Sequence, residues 1–187
     1  MKTIIHMIAT LSIIGIVAGG LLAGVNGWAT PLIEANKKAE TEKAIFLVNP
    51  EGKSYEAVAN AGFQIYKVYS DSKSLIGYSL VYEGNGFQGK IRVMLGLSED
   101  MKKLTMYEVL EQSETPGLGT KILEDPFKKQ FNGLVAEPNV EWVKGKAPSK
   151  QNEIQTITGA TISSKAIVAI INNALEKARS LKEKGTL

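Results

Sequence analysis

Thr158-Gly159-Ala160-Thr161-Ile162-Ser163-Ser164-Lys165-Ala166-Ile167 leads into the strongest helical pattern of the chain. Beyond it Ile167, Ile171, Ala174, Leu175 and Ala178 recur at helical spacing, while Glu176, Lys177, Arg179, Lys182, Glu183 and Lys184 fill the polar side and the end. This predicts an amphipathic helix over residues 163–184, with Ser163 and Ser164 as caps. A helix with one apolar stripe is stable only against a second layer. Upstream, residues 64–69 and 75–82 combine β-branched or aromatic side chains with near alternation, and Asp71-Ser72-Lys73-Ser74 between them has turn composition. Residues 90–97 and 104–110 repeat the arrangement around a loop at 98–103. Asp125-Pro126 marks a short helix with Asp125 as cap and Phe127 and Phe131 on one face, and residues 140–144 read as one more strand. Paired strands followed by helices predict an α+β domain with a twisted antiparallel sheet and packed helices.

The opening stretch also carries chemistry. A helix that begins here leaves its first N–H groups without intrahelical partners, and with the macrodipole they make its N-terminus an anion site. Gly159 and Ala160 add almost no bulk beside the Thr161 hydroxyl. Thr158-Gly159-Ala160-Thr161 resembles the flavinylation motif of the FMN-binding domain found in the G subunit of Rnf electron-transport complexes and in the C subunit of sodium-translocating NADH:quinone reductases. The resemblance implies that a flavin transferase esterifies Thr161 to the phosphate of FMN, giving a covalent phosphodiester-linked cofactor with Thr158, Gly159 and Ala160 beside it. The family pattern usually has Asp where this chain has Gln155.

A second segment, Glu114-Thr115-Pro116-Gly117-Leu118-Gly119, is similar to a loop typical of the Rnf G-subunit domain, which implies cofactor contacts from these six residues. Pro116-Gly117 suits a turn in which Pro fixes φ and Gly takes a positive φ, and Gly119 allows a backbone to approach a planar ring. Glu114 and Thr115 are then expected to offer hydrogen-bonding groups at the ring's rim. Gly84-Asn85-Gly86-Phe87-Gln88-Gly89 is similar to the family's glycine-rich approach to a strand, with Asn85 where an aromatic is common and Phe87 as the remaining aromatic. Glycine clusters of this kind equally mark a plain hairpin turn.

Residues 4–25 contain no Lys, Arg, Asp or Glu and are long enough to span a bilayer as a helix. An uncleaved anchor is expected, since a secretory signal usually has a shorter apolar region. Gly15, Gly19, Gly20 and Gly24 form a small-residue ridge suited to packing against another membrane helix. The sole histidine, His6, falls near the membrane end, where neutral imidazole among headgroups accounts for it. Trp28 is placed as an interfacial aromatic, and residues 31–43 read as a charged helical connector. Basic residues flank both ends of the apolar run, so charge does not orient it.

Lys plus Arg number 22 against 19 Asp plus Glu, a net charge of +3 too balanced and scattered for a nucleic-acid surface. With no cysteine in its 187 residues, the chain has no disulfide, iron–sulfur ligation or thiol chemistry. The expected organisation is a transmembrane anchor over 1–27, a juxtamembrane helical connector over 28–45 and an extracytoplasmic FMN-binding domain over 46–187, the last location implied by the resemblance. The resemblance further implies a single-pass flavoprotein of the cell membrane that carries electrons in an Rnf-type ion-translocating ferredoxin:NAD oxidoreductase. Its partners are then the other subunits, the flavin transferase and membrane lipid, with no nucleic acid. No residue is expected to act as acid, base or nucleophile in turnover, and no metal site is expected. Two further readings stay open: a flavoprotein of a related quinone reductase or extracellular electron-transfer chain, and a non-flavinylated membrane-tethered assembly module.

Overall fold

The computed structural model describes residues 1–187. Its first helix, α1, runs unbroken over Lys2–Val48 with Pro31 inside it. The chain divides into two compact units, Met1–Glu40 and Thr41–Leu187. In the first unit the large apolar side chains from Ile4 to Val25 are each more than half exposed, and the helix is long and apolar enough to cross a membrane. Nothing in the unit itself covers that surface, which is the condition a lipid environment meets.

The second unit is built on a five-stranded antiparallel sheet in simple sequence order. Its strands are β1 (Ser54–Ala57), β2 (Ile65–Tyr69), β3 (Leu75–Asn85), β4 (Lys90–Ser98) and β5 (Leu104–Gln112). Both expected strand pairs are present, joined into one sheet because β3 also pairs with β4, from Gly77 opposite Ser98 to Asn85 opposite Lys90. Along β4 the side chains alternate between two apolar clusters. Ile91, Val93, Leu95 and Leu97 belong to the larger core and Met94 to the smaller, so the strand reads as an almost continuous apolar run.

The larger core is closed by α3 (Thr161–Glu183), which buries Ile167, Ile171, Ala174, Leu175 and Ala178 as the sequence spacing requires. A 3-10 turn over Gly119–Leu123, the short helix α2 (Asp125–Lys128) and a second 3-10 turn over Lys129–Phe131 complete that side. Phe127 and Phe131 both pack edge-on against Tyr107, with ring centroids 6.5 and 4.7 Å away. The smaller core is closed by the last turns of α1, where Ala44, Ile45 and Val48 meet Val68, Val81 and Met94. Gly96 makes this approach possible, because a Cβ there would stand 2.3 Å from the Val48 carbonyl oxygen.

Several local details depart from the sequence reading. Asp125 is not the cap of α2: Glu124 holds that position, and Asp125 is the first helical residue, paired with Lys129 at 3.0 Å. The short strands β1 and β7 (Glu153–Gln155) have no apolar alternation to announce them. The latter pairs in parallel with β6 (Glu141–Val143) through the register Glu141 to Glu153 and Val143 to Gln155.

Candidate functional site

Ser163 and Ser164 are not the caps of α3. The helix begins two residues earlier, with Ala160 at the cap position and Thr161 as its first residue. The Ser164 hydroxyl is instead buried in the first turn, donating to the Ala160 carbonyl at 3.0 Å and accepting from the Ile157 N–H at 3.0 Å. This doubled contact pins the approach to the helix, and Gly159 supplies the positive φ of +85° that the turn requires. The first N–H groups of α3 have no intrahelical partner. Thr161 is half-buried beside them, and its hydroxyl has no hydrogen-bond partner within the protein.

A cleft of about 520 Å³ opens in front of this helix start, within the roughly 300–1,000 Å³ common for small-molecule sites. Thr115, Leu118, Gly119, Thr158, Gly159, Ala160 and Thr161 line it, so both sequence motifs meet in one place although they are far apart in the chain. Phe87, from the glycine-rich hairpin, also reaches the cleft, as do Lys144, Gly145, Thr156, Ile162 and Ser163. None of these last five is marked as a cleft residue by the sequence, where Ser163 reads as a helix cap and Lys144 as the end of a strand. Lys144 and Gly145 arrive because β6 pairs with β7, and the local signal is the strand pattern of residues 140–144.

Glu114, Pro116 and Gly117 do not line the cleft. Gly117 does take the positive φ expected of the turn, +73°. Glu114, expected at a cofactor's rim, turns inward and is 4% exposed. One carboxylate oxygen accepts from the N–H groups of Phe87 and Gln88 at 2.9 and 3.0 Å, and the other accepts from the Ser163 hydroxyl. A single buried carboxylate thus joins the hairpin turn, the 114–119 loop and the first turn of α3. The space at Gly119 is used in the same way. A Cβ there would lie 2.9 Å from Glu114 Oε2 and 3.0 Å from Ser163 Oγ, so the missing side chain admits protein atoms rather than a ring.

Gln155 is exposed, and its backbone is clamped by the Gln130 amide: the Gln155 N–H donates to Gln130 Oε1 at 2.7 Å, and Gln130 Nε2 donates to the Gln155 carbonyl at 3.2 Å. The segment running from β7 to Thr158 is therefore positioned by backbone contacts and leaves the Gln155 side chain outside. Across the cleft, the connection between β6 and β7 is gathered by Glu153. Its carboxylate accepts from the Ser149 N–H at 2.8 Å, the Ser149 hydroxyl at 3.0 Å and the Lys150 N–H at 3.2 Å.

These bonds, the Ser149 N–H foremost, hold the Glu153 carboxyl below its ordinary value of 4.5. A depressed folded-state pKa contributes stability above the unfolded value, and that contribution is lost as pH falls through the folded value. Amide protection at Ser149 and Lys150, corrected for intrinsic exchange, is expected to fall as the solution is acidified from about pH 5 to about pH 3. In Glu153→Gln that dependence should disappear, and flat protection in the unsubstituted protein would contradict the assignment.

The cleft fits an FMN group on its own chemistry. It offers apolar walls at Phe87, Leu118 and Ile162, unpaired N–H groups and a hydroxyl at a helix start, and no carboxylate among its lining residues. Comparison with known proteins gives the class first: the model of the FMN-binding domain matches residues 86–176, which contain every cleft residue. Two relatives then extend the match over nearly the whole chain. The G subunit of the ion-translocating oxidoreductase complex of Methanosarcina acetivorans is 32% identical over 94% of this chain and 94% of its own length. The G subunit of the proton-translocating ferredoxin:NAD(+) oxidoreductase complex of Clostridium ljungdahlii is 29% identical over 94% of this chain and 92% of its own. The chain belongs to the Rnf G-subunit family. Its fold is shared with the crystal structure of the C subunit of the Na(+)-translocating NADH-quinone reductase from Parabacteroides distasonis. That match has a TM-score of 0.61 at 20% identity and covers 78% of this chain and 93% of that one.

Proposed function

We propose that this chain is the membrane-anchored flavoprotein component of an Rnf-type ion-translocating ferredoxin:NAD oxidoreductase, carrying electrons through FMN joined by a phosphodiester to Thr161. The observation that carries the reading is the placement of Thr161. Its unpartnered hydroxyl stands at the first residue of α3, on a cleft that also gathers the 114–119 loop. FMN supplies reversible electron transfer when bound. The protein's part is to hold the phosphate at the helix start and to wall the ring with Phe87, Leu118 and Ile162. Thr115 Oγ1, which donates to Gln88 Oε1 at 3.0 Å, ties two of the cleft's edges together.

The domain faces the outside of the cytoplasm in this reading, where a dissociable flavin would be lost by dilution and a covalent one is retained. The residue 4–25 segment crosses the membrane, and the ridge of Gly15, Gly19, Gly20 and Gly24 packs against a neighbouring subunit. Production with a flavin transferase of the family should give a fluorescent band on a denaturing gel; a dark band would sink the covalent assignment.

Gln155 stands in place of the motif's usual acid, with its side chain exposed and its backbone held independently by Gln130. Gln155→Asp should therefore leave the fold unchanged and give flavin incorporation equal to or faster than that of the unsubstituted chain, read as band fluorescence against time. Slower incorporation would mean that the motif is aligned in the wrong register.

A further inference from the structure

Part of the cleft's edge is basic, and its charges are unspent. Lys144 lines the cleft, Lys146 follows in the same exposed loop, and Lys165 sits one turn beyond Thr161 with Nζ 3.9 Å from the Trp142 ring centroid. Some lysines elsewhere on the domain are neutralised, Lys90 by Glu83, Lys102 by Glu137 and Lys129 by Asp125, so what sets these three apart is their place at the cleft. The acids closest in sequence to this edge, Glu141 and Glu153, are both engaged by Lys150. None of Lys144, Lys146 and Lys165 has a carboxylate partner.

Beside these cations lie the same three apolar residues that are assigned to wall the ring. Phe87 is 61% exposed, Ile162 57% and Leu118 47%, and all three border the cleft. Exposed apolar side chains rimmed by charge of one sign are the composition of a binding surface. One phosphodiester carries a single negative charge, so three lysines leave the edge cationic after the cofactor is attached. Such a field accelerates encounter with an anionic partner and disfavours a cationic one.

We propose that this edge is the docking surface for an acidic redox protein, one whose own centre lies behind an apolar patch bordered by Asp and Glu. The inference rests on the flavin reading. The test uses full-length flavinylated protein in nonionic detergent, fully reduced and then mixed with ferricyanide or with hexaammineruthenium(III). Each reduced flavin gives one electron to each of two oxidant molecules, becoming oxidised FMN and releasing two protons. The rate with the anionic oxidant relative to the cationic one should fall about tenfold in the combined variant Lys144→Glu, Lys146→Glu, Lys165→Glu. In the unsubstituted protein the same ratio should fall as salt is raised, a measurement that needs no variant to fold.

A ratio that stays within about twofold in flavin-loaded protein across the salt series overturns the docking surface and leaves the flavin reading intact. An unsubstituted protein without flavin overturns the flavin reading and this inference with it. A triple variant that keeps the ratio but detaches from phosphatidylglycerol vesicles would show that the lysines serve a lipid surface, which also overturns the proposal.

Discussion

Thr161→Ala is expected to abolish flavin fluorescence in the denatured protein completely while leaving the domain folded. The first half follows from chemistry: alanine has no hydroxyl to form the ester, and no other group in the Thr158-Gly159-Ala160-Thr161 turn is placed at the helix start. The second half follows from the contacts. Thr161 is half-buried, its hydroxyl makes no intramolecular hydrogen bond, and alanine is the best helix former. Stability should therefore change by no more than about 0.5 kcal/mol. The control is Thr158→Ala, which removes the other hydroxyl of the motif from the same cleft. That band should stay fluorescent. A dark Thr158→Ala band beside a bright Thr161→Ala band would move the anchor three residues upstream. Noncovalent FMN released by acid from native Thr161→Ala would further separate loss of the bond from loss of the cleft.

How much of this was legible in the sequence depends on the range of the interaction. Strands β2 to β5 and the buried stripe of α3 follow from local periodicity, so the alternation around Leu75 and Ile91 and the spacing of Ile167, Ile171 and Ala174 located them. The start of α3 lies two residues before the one its serines suggest, because a serine near a helix start favours a capping reading. Ser163 and Ser164 are drawn inside the helix by partners 49 residues away in Glu114 and seven residues away in Ile157, and neither contact has a local signature. The last turns of α1 show the converse. Thr41, Ala44, Ile45 and Val48 do fall at helical spacing, yet charged neighbours such as Lys38, Glu40 and Lys43 mask the stripe. Of the cleft, the residues on the two motifs were readable, whereas Lys144, Gly145 and Thr156 are brought there by a parallel pair of three-residue strands.

Glu114→Ala is expected to have the largest effect of any single change outside Thr161. It leaves the Phe87 and Gln88 N–H groups and the Ser163 hydroxyl without their acceptor in a site that is nearly closed to solvent. An unsatisfied buried donor costs about 1–3 kcal/mol, and even with water or local relaxation recovering part of it the sum should be on the order of 3 kcal/mol. The loss should appear as a lower denaturant midpoint, and as reduced flavin incorporation even where the chain is still folded, because the hairpin, the 114–119 loop and the first turn of α3 no longer share an anchor. Glu114→Gln separates geometry from charge. Its amide oxygen can still accept both backbone N–H groups while its NH₂ donates to Ser163 Oγ, so most stability and incorporation should return. If Glu114→Gln fails as badly as Glu114→Ala, ionised charge rather than connectivity holds the three segments. If Glu114→Ala unfolds at the unsubstituted midpoint, the carboxylate does not organise the cleft at all. A double-mutant cycle with Ser163→Ala should return a coupling of about 1–3 kcal/mol, since a charge-assisted bond buried beside Gly119 has no water ready to replace it.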